Sequence, residues 1–409
     1  MIPCRFCGAP LREIFVDLGA SPLANSYLEP EHLRRPEPFY PLCVYVCGEC
    51  FLVQLPEEER PEAIFTDYAY FSSYSESWLR HARTYAEAMV DRFGFGPEHR
   101  VIEVASNDGY LLRWFRDQGV PVLGIEPARN VAEAAEAAGI PTLVRFFGTE
   151  TARDLVAEGT RADLLVGNNV LAHVPDLNDF VEGLKTLLAP RGVLTMELPH
   201  LLRLMDEDQF DTIYHEHYSY FSFLAVRKVF ASHGLTLFDV EELPTHGGSL
   251  RIYARHDEDD SKPVGERVAD LLAREEAAGL TYPDPYRSFA ERVERVKRGL
   301  LRFLIQAKEE GKSIAGYGAP AKGNTLLNYC GIRSDFLDYT VDLSPHKQGR
   351  YLPGTRIPIF APDHIRETRP DYVLILPWNL KEEIMKQMSD VRSWGGKFVV
   401  AIPEVRVFE

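Results

Sequence analysis

Residues 101–109 read VIEVASNDG, an apolar run broken only by Glu103, then small polar residues, then Gly109. With the amphipathic stretch Tyr110–Phe115 following at once, this pattern predicts a buried strand, a tight turn and a helix. A turn of that kind leaves amide N–H groups exposed at a helix start, where a ligand can bind. Downstream, VLGIEP at 122–127 repeats the pattern, with Glu126 at a strand end and Pro127 after it. A carboxylate so placed can accept two hydrogen bonds from a ribose diol. Glu103, Ala105, Asn107, Gly109, Glu126 and Pro127 therefore outline half of a nucleotide site. An ordinary strand-to-helix turn in an α/β domain accounts for the loop alone equally well.

The alternation continues outward. A helix over Val131–Ala138 leads to IPTLVRFFGTETA, where Phe146 and Phe147 can lie against an adenine ring or finish a core strand. ADLLVGNNVLAHVPD then reads as a buried strand, Asp163–Gly167, whose end presents Asn168, Asn169 and His173. Ligands bind at the carboxyl ends of parallel strands. With VLTMELPH at 193–200, strand and helix alternate over about a hundred residues, as in an open, mostly parallel sheet.

The chain has 409 residues, 45% apolar and 26% charged, ordinary for globular protein and long enough for two or three domains. A formal net charge of −16 argues against nucleic acid as a partner, though a local basic pocket for a small phosphorylated ligand stays open. No apolar run approaches a membrane span, and MIPCRFCG has neither a basic nor an apolar signal region, so a cytoplasmic location is expected.

Five of the six cysteines fall in the first fifty residues. Cys4-Arg-Phe-Cys7 and Cys47-Gly-Glu-Cys50 each place two residues between thiols, which lets both sulfurs face one ion while the backbone turns beneath them. Thiolates at this spacing favour Zn²⁺, in a closed and hence structural tetrahedron; disulfides are the alternative, disfavoured in a reducing compartment. Cys43 is expected to pack, or to replace one of the four.

Residues 61–79, PEAIFTDYAYFSSYSESWL, gather Tyr68, Tyr70 and Tyr74 with four serines before a helix over Trp78–Phe93. They read either as a surface loop covering the next domain or as an active-site lid. The densest titratable cluster is IYHEHYSYFS at 213–222, ended by Ser222 as N-cap of the apolar-periodic run Phe223–His233. His215 and His217 flank Glu216, but HEH lacks the i,i+4 spacing of a helical metal site, and phenols beside histidine suit proton transfer and oxyanion stabilisation better.

Residues 234–256 carry two alternating strands about His246-Gly247-Gly248-Ser249, either a plain hairpin or a place where backbone approaches a ligand. DEDDSKP marks a junction within 257–283, and a long helix runs from about Tyr286 to Glu310. The α/β pattern then restarts: SIAGYGAPAKGNTLLNYCG is strand, glycine-rich turn and helix, followed by DYTVD ending at Asp342. Gly316, Gly318 and Gly323 can cradle a pyrophosphate, with Lys322 and Asn324 placed to neutralise or bond it. The spacing departs from the strict dinucleotide fingerprint. Lys347, Arg350 and Tyr351 form a basic and aromatic turn that can grip phosphate or base, or be solvated surface. YVLILP and KFVVAIP complete this second sheet.

The loop Glu103, Ala105, Asn107, Gly109 resembles motif I of class I S-adenosylmethionine methyltransferases, acidic-x-Gly-x-Gly-x-Gly, with only the last glycine retained. CxxC near the start, CxxC near 50, YFSSYSES, the SNDG loop, NNVLAHV, YHEHYSYFS and HGGSLR together resemble the sugar C-methyltransferases across nearly the whole chain. The resemblance implies a zinc-binding domain over 1–65, a Rossmann-like methyltransferase domain over 66–256 and a C-terminal Rossmann-like domain over 257–409 that holds a sugar nucleotide. It implies S-adenosylmethionine and structural Zn²⁺ as cofactors, a small-molecule sugar nucleotide as partner, and His217 of the Glu-His pair as base. Nothing in it conflicts with a monomer.

The expected reaction starts from a 4-keto-deoxysugar nucleotide, expected to be dTDP-linked, whose carbonyl acidifies the adjacent C–H. His217 removes that proton, Glu216 orients or tunes it, and Tyr214, Tyr68 or a protonated His173 stabilises the enolate. Glu103, Ala105, Asn107, Gly109, Glu126, Pro127, Phe147, Asn168 and Asn169 are the expected cofactor contacts. Tyr70, Tyr74, His246, Lys322, Asn324, Lys347, Arg350 and Tyr351 are the expected substrate contacts. Rival readings are an O- or N-methyltransferase on a related sugar, and a nicotinamide-dependent oxidoreductase or sugar-nucleotide-binding protein using the Gly316 loop.

Overall fold

Val101–Val104 is an interior strand of a seven-stranded sheet in the computed structural model, which describes residues 2–59, 72–74 and 76–409. In space the strands run Leu235–Leu243, Ser249–His256, Leu188–Pro199, Ala162–Asn168, Val101–Val104, Val122–Ile125 and Thr142–Leu143. The last five pair in parallel, as sustained strand-helix alternation requires, and Ser249–His256 turns antiparallel onto Leu188–Pro199. The 234–256 segment is thus a hairpin, closing one side of this sheet.

Two compact units emerge. One comprises 1–11, 47–200 and 218–281; the other comprises 12–46, 201–217 and 282–409. In the first, helix Glu76–Phe93 buries Ala82, Tyr85, Ala86 and Met89 at i, i+3, i+4, i+7 spacing against a core that includes Val101, Leu164, Val166, Val193 and Tyr253. Each large side chain so buried contributes roughly 1.5–3 kcal/mol, which is what fixes the helix to the sheet. Helix Phe223–Ser232 starts where Ser222 predicts, its Oγ accepting from Ala225 N at 3.0 Å. Helix Glu266–Ala277 lies within the stretch that reads as a junction.

The second unit holds a six-stranded sheet in the order Ile359–Phe360, Tyr339–Val341, Ile314–Tyr317, Tyr372–Ile375, Lys397–Val400, Arg406–Phe408, parallel except for its last strand. The hairpin Glu13–Ser21 with Tyr40–Val46 belongs to it, and helix Asp284–Glu309 packs there through Phe289, stacked on Phe15 at 4.5 Å and 5°. Both nucleotide-type sheets read from the sequence are therefore present. No helix of the described residues is long and apolar enough to cross a membrane.

Candidate functional site

The loop after Val101–Val104 keeps a glycine backbone without the glycines. Ala105, Asn107 and Gly109 all have left-handed φ, at 56°, 51° and 74°. Asparagine tolerates this region, but alanine pays roughly 1–2 kcal/mol for it. At Gly109 only hydrogen fits, because a Cβ would meet Ile140 Cγ1 at 2.7 Å. Glu126 clamps the loop from the next strand: Oε2 accepts from Asn107 N at 3.0 Å and Oε1 from Ala128 N at 2.9 Å. Burial raises its pKa despite those two donors. Glu103 is 1% exposed, and burial, with Asp108 and Glu126 adding repulsion, pushes its carboxyl well above the usual range. Its Oε2 is buried without a partner, as is Asp108 Oδ1. Unsatisfied buried acceptors beside a clamped loop fit hydrogen-bond donors of a bound cofactor, such as a ribose diol or an ammonium group. Pro127 is half-buried beside them.

Ser72 and Ser73 dock on this same loop. Ser72 N donates to Asn107 Oδ1 at 2.9 Å, and Ser73 donates to Asp108 Oδ2 through N at 3.0 Å and also through Oγ. Tyr74 falls in the short turn Ser72–Tyr74, while Tyr68 and Tyr70 lie outside the described residues. Phe147 is not in a strand; it is half-buried, edge-on to Phe180 at 5.4 Å.

At the neighbouring strand ends, Asn168 Oδ1 accepts from Glu197 N at 3.2 Å, and Asn169 takes left-handed φ 54° with its N bonded to Glu197 O. Glu197, fully buried, receives Arg251 at 2.6 Å and His81 Nε2 at 2.8 Å. Burial opposes its ionisation, but the hydrogen bond from His81 and the Arg251 charge outweigh burial and hold its pKa below the usual carboxylate range. The indole of Trp78 stacks on His81 at 4.9 Å and meets His246 edge-on at 5.1 Å. His246 is exposed with φ 56° in the glycine turn, and His173 is half-buried at the end of the short turn Leu171–His173.

The histidine cluster belongs to the second unit, and its two imidazoles differ sharply. His215 is 3% exposed, bonds Pro41 O through Nε2 at 3.1 Å, and has a buried Nδ1 without a partner. Burial lowers its pKa. His217 is half-buried and bonds Thr212 O through Nδ1 at 2.8 Å. A carbonyl only accepts, so Nδ1 carries the proton and, in the neutral ring, Nε2 carries the lone pair. Tyr214, also half-buried, lies 4.1 Å from the His217 ring, centroid to centroid. Glu216 is buried, its Oε1 accepting from Asn25 Nδ2 at 2.6 Å.

The glycines of the second loop admit protein rather than open space. A Cβ at Gly316 would meet Thr340 Oγ1 at 2.7 Å, at Gly318 Pro377 Cδ at 2.5 Å, and at Gly323 Leu376 Cβ at 3.0 Å. Two turn amides are also taken: Gly318 N donates to Val341 O at 2.7 Å and Ala319 N to Asp342 Oδ2 at 2.7 Å. Asp342 occupies the position an anion would need at Ala319. Lys322 bonds Asn379 Oδ1 at 2.9 Å above the Trp378 ring, and burial lowers its pKa against the pull of Asp211. Asn324 is buried and gives its amide to Ala24 O. Lys347 donates to Ala319 O at 2.9 Å, Arg350 pairs with Glu29 at 2.7 Å, and the Tyr351 backbone bridges to Leu28 and Pro358.

The thiols of Cys4, Cys7, Cys47 and Cys50 converge, with all four sulfurs within 4.8 Å of one another. Cys4 and Cys50 are 3.6 Å apart, Cys7 and Cys47 3.5 Å. Four sulfurs at about 2.3 Å from one Zn²⁺ in a tetrahedron stand about 3.8 Å apart, so these residues fit the ion. The Cys50 thiol pulls Cys4 down to about 4 and is itself pushed up in exchange. Four such neighbours ionise together only around a cation. Cys43 is outside the cluster, half-buried opposite Asp17.

Residues 4–65 match the zinc binding domain family of methyltransferases, 78–240 a methyltransferase domain, and 244–403 the C-methyltransferase C-terminal domain. Across 404 residues, 99% of this chain and 96% of the relative, the sequence is 38% identical to the C-methyltransferase NovU of Streptomyces niveus. The chain belongs to the C-methyltransferase family. A stretch of 96 residues in this methyltransferase is 27% identical to the ubiquinone biosynthesis O-methyltransferase of Bartonella tribocorum, covering 23% of this chain and 39% of that protein. Among solved structures, the magnesium protoporphyrin IX methyltransferase of Synechocystis PCC 6803 with bound SAM is 14% identical over 43% of this chain and 78% of its own, with TM-score 0.33.

Several side-chain pairings within the units of this C-methyltransferase carry no sequence signal. His81, Glu197 and Arg251 come from a helix and two strands far apart in the chain, and only Glu197 sits in a recognisable strand end. Asp211 and Trp378 pair at 2.7 Å across 167 residues, and Glu275 caps helix Phe223–Ser232 while holding His200 at 2.7 Å.

Proposed function

We propose that this enzyme transfers a methyl group from S-adenosylmethionine to a ring carbon of a 4-keto-deoxysugar nucleotide, in its dTDP-linked form, by way of an enolate. The observation that carries this reading is the bond from His217 Nδ1 to the Thr212 carbonyl, which leaves Nε2 as the basic atom of a half-buried imidazole. Carbon methylation needs such a base, since a C–H next to a carbonyl must lose its proton before carbon becomes nucleophilic. Tyr214, packed on the same ring, supplies a phenol O–H as donor for the developing oxyanion. Glu216, held by Asn25, fixes the backbone between the two histidines. Glu103, Glu126, Asn168, Asn169 and the Ala105–Gly109 turn are the proposed cofactor contacts, with Glu126 on the ribose. When bound, S-adenosylmethionine supplies an electrophilic methyl group on a sulfonium centre. Zn²⁺ on four thiols keeps no open position, so its role is structural.

Lys347 and Lys322 are the proposed substrate cations of the C-terminal sheet, while the occupied amides of Gly318 and Ala319 disfavour a pyrophosphate cradle and with it the nicotinamide reading. The test is incubation with S-adenosylmethionine and a panel of dTDP-linked 4-keto-deoxysugars. A mass gain of one methyl group, with NMR shifts of a carbon-bound methyl, is expected. A methyl on oxygen or nitrogen would replace this reading with that of an O- or N-methyltransferase.

A further inference from the structure

Arg5 separates the two thiols of the first knuckle only by itself and Phe6, yet none of its hydrogen bonds stays within the knuckle. Its guanidinium donates to Pro175 O at 2.8 Å and to Leu55 O at 2.5 Å, and lies over the Tyr218 ring at 5.4 Å. Its Nε is buried without a partner, and Cys4 and Glu57 are among the groups whose charge favours its ionised form. The backbone around it is held as firmly. Arg5 N donates to Gln54 Oε1 at 2.9 Å, Gln54 Nε2 reaches Cys4 Sγ at 3.1 Å, and Asn178 Nδ2 donates to Phe6 O at 2.9 Å.

What Arg5 grips is two short segments beside reactive residues. Pro175 lies two residues after His173. Leu55 N donates to Tyr218 O at 3.0 Å, and Tyr218 N donates to Ala172 O at 2.7 Å, so the residue following His217 is strung between Leu55 and the His173 turn. Val53 and Gln54 extend the link by pairing with Tyr220 and Ser219. Four thiolates around one divalent ion carry a net charge of −2, and with Cys4, Cys47 and Cys50 buried and only Cys7 exposed, such a charge is stabilised by a nearby cation. Arg5 is the cation built into the knuckle. Its planar fork also spans two carbonyls at once, which a lysine ammonium on a flexible stem does not do.

We propose that Arg5 is a positioning residue that couples the tetrathiolate metal centre to the His173 turn and to Tyr218, by compensating the charge of the loaded centre while bridging the Pro175 and Leu55 carbonyls. The metal then does more than close a small domain: it sets the geometry of two segments of the active site. The catalytic part of this inference rests on the roles proposed above for His173 and His217; the metal part does not.

Arg5→Gln and Arg5→Lys, purified with zinc, test it. Transfer of zinc to 4-(2-pyridylazo)resorcinol should be about tenfold or more faster from Arg5→Gln than from wild type, with Arg5→Lys between them because it restores the charge. Exchange of the substrate C–H in deuterium oxide should fall about tenfold in both variants at unchanged S-adenosylmethionine affinity, because neither bridges two carbonyls. Wild-type zinc transfer from Arg5→Gln overturns the charge compensation; wild-type C–H exchange overturns the coupling. Should both variants misfold, amide exchange on the wild-type protein decides. Stripping zinc should speed deuterium uptake about tenfold more in peptides covering 53–55 and 172–175 than in one covering 122–125. A uniform change, or none, overturns the proposal without touching the proposed reaction.

Discussion

His217 Nδ1 lies 2.8 Å from the carbonyl oxygen of Thr212, five residues earlier in the same loop. The bond fixes the tautomer of the neutral imidazole and, with the Tyr214 ring 4.1 Å away, restricts how that imidazole can turn. His215 is tied through the opposite nitrogen to Pro41, and its remaining nitrogen is buried. Two histidines separated by one residue thus sit in unlike surroundings, one half-buried and bonded through Nδ1 to its own loop, the other buried and bonded through Nε2 to Pro41.

Ala105 sits at φ 56°, a conformation that costs an alanine roughly 1–2 kcal/mol and a glycine little. Ala105→Gly should therefore stabilise the protein by about 0.5–1 kcal/mol after the extra chain entropy of glycine is subtracted. Denaturant titration of both proteins measures this. A destabilised variant would mean that the methyl group contributes packing worth more than the strain.

Glu126 uses both oxygens on Asn107 and Ala128 amides and retains further lone pairs for a diol. Glu126→Ala should weaken S-adenosylmethionine binding by about 1–3 kcal/mol, read by calorimetry. Unchanged affinity in a folded variant would remove Glu126 from the cofactor site.

One zinc ion per chain is expected by metal analysis of protein purified without chelator, and Cys47→Ser should lose most of it, since three thiolates and a hydroxyl form a poorer tetrahedron. A metal content near zero in wild type, or an unchanged content in the variant, contradicts the four-thiol centre.

Burial raises the Asp211 carboxyl to about 6, against the pull of Lys322 and the Trp378 N–H. Its folded-state pKa lies above the unfolded value, so the native state binds the proton more tightly between about pH 4 and pH 6, and stability falls as pH rises through that window. A shift of about two units corresponds to about 3 kcal/mol. Asp211→Asn keeps an acceptor for Trp378 and removes the titration, so relative to wild type it should gain stability between pH 4 and pH 7.5. Parallel pH profiles of the two proteins in urea titrations would show that Asp211 does not titrate in this way.

Much of this was legible in the residues because it rests on local chemistry. Two CxxC pairs converge because the spacing leaves their thiols little else to do, and Ser222 caps its helix because a side-chain oxygen there meets an orphan amide. Strand periodicity placed Glu103, Glu126 and Asn168 at the ends of parallel strands. The glycine count misled at motif I, where Ala105 and Asn107 take the left-handed conformation regardless, since the clamp from Glu126 over-determines the turn. At the second loop glycine spacing was ambiguous, because a glycine that admits a ligand and one that admits Pro377 or Thr340 leave the same letter. In a fully extended loop His215 and His217 would share one face; a turn closed by His217 N on Tyr214 O at 2.9 Å separates their surroundings instead. Pairs such as His81 with Glu197 depend on tertiary packing and have no local pattern to read.

The central claim is that His217 Nε2 removes the proton next to the sugar carbonyl. Deuterium exchange into a dTDP-linked 4-keto-deoxysugar, followed by mass spectrometry in the absence of S-adenosylmethionine, isolates that step from methyl transfer. His217→Asn should bind substrate and cofactor yet lose at least about 100-fold in exchange rate, while His215→Asn should lose far less. Wild-type exchange in the His217 variant would contradict this claim and move the base to another residue of the site.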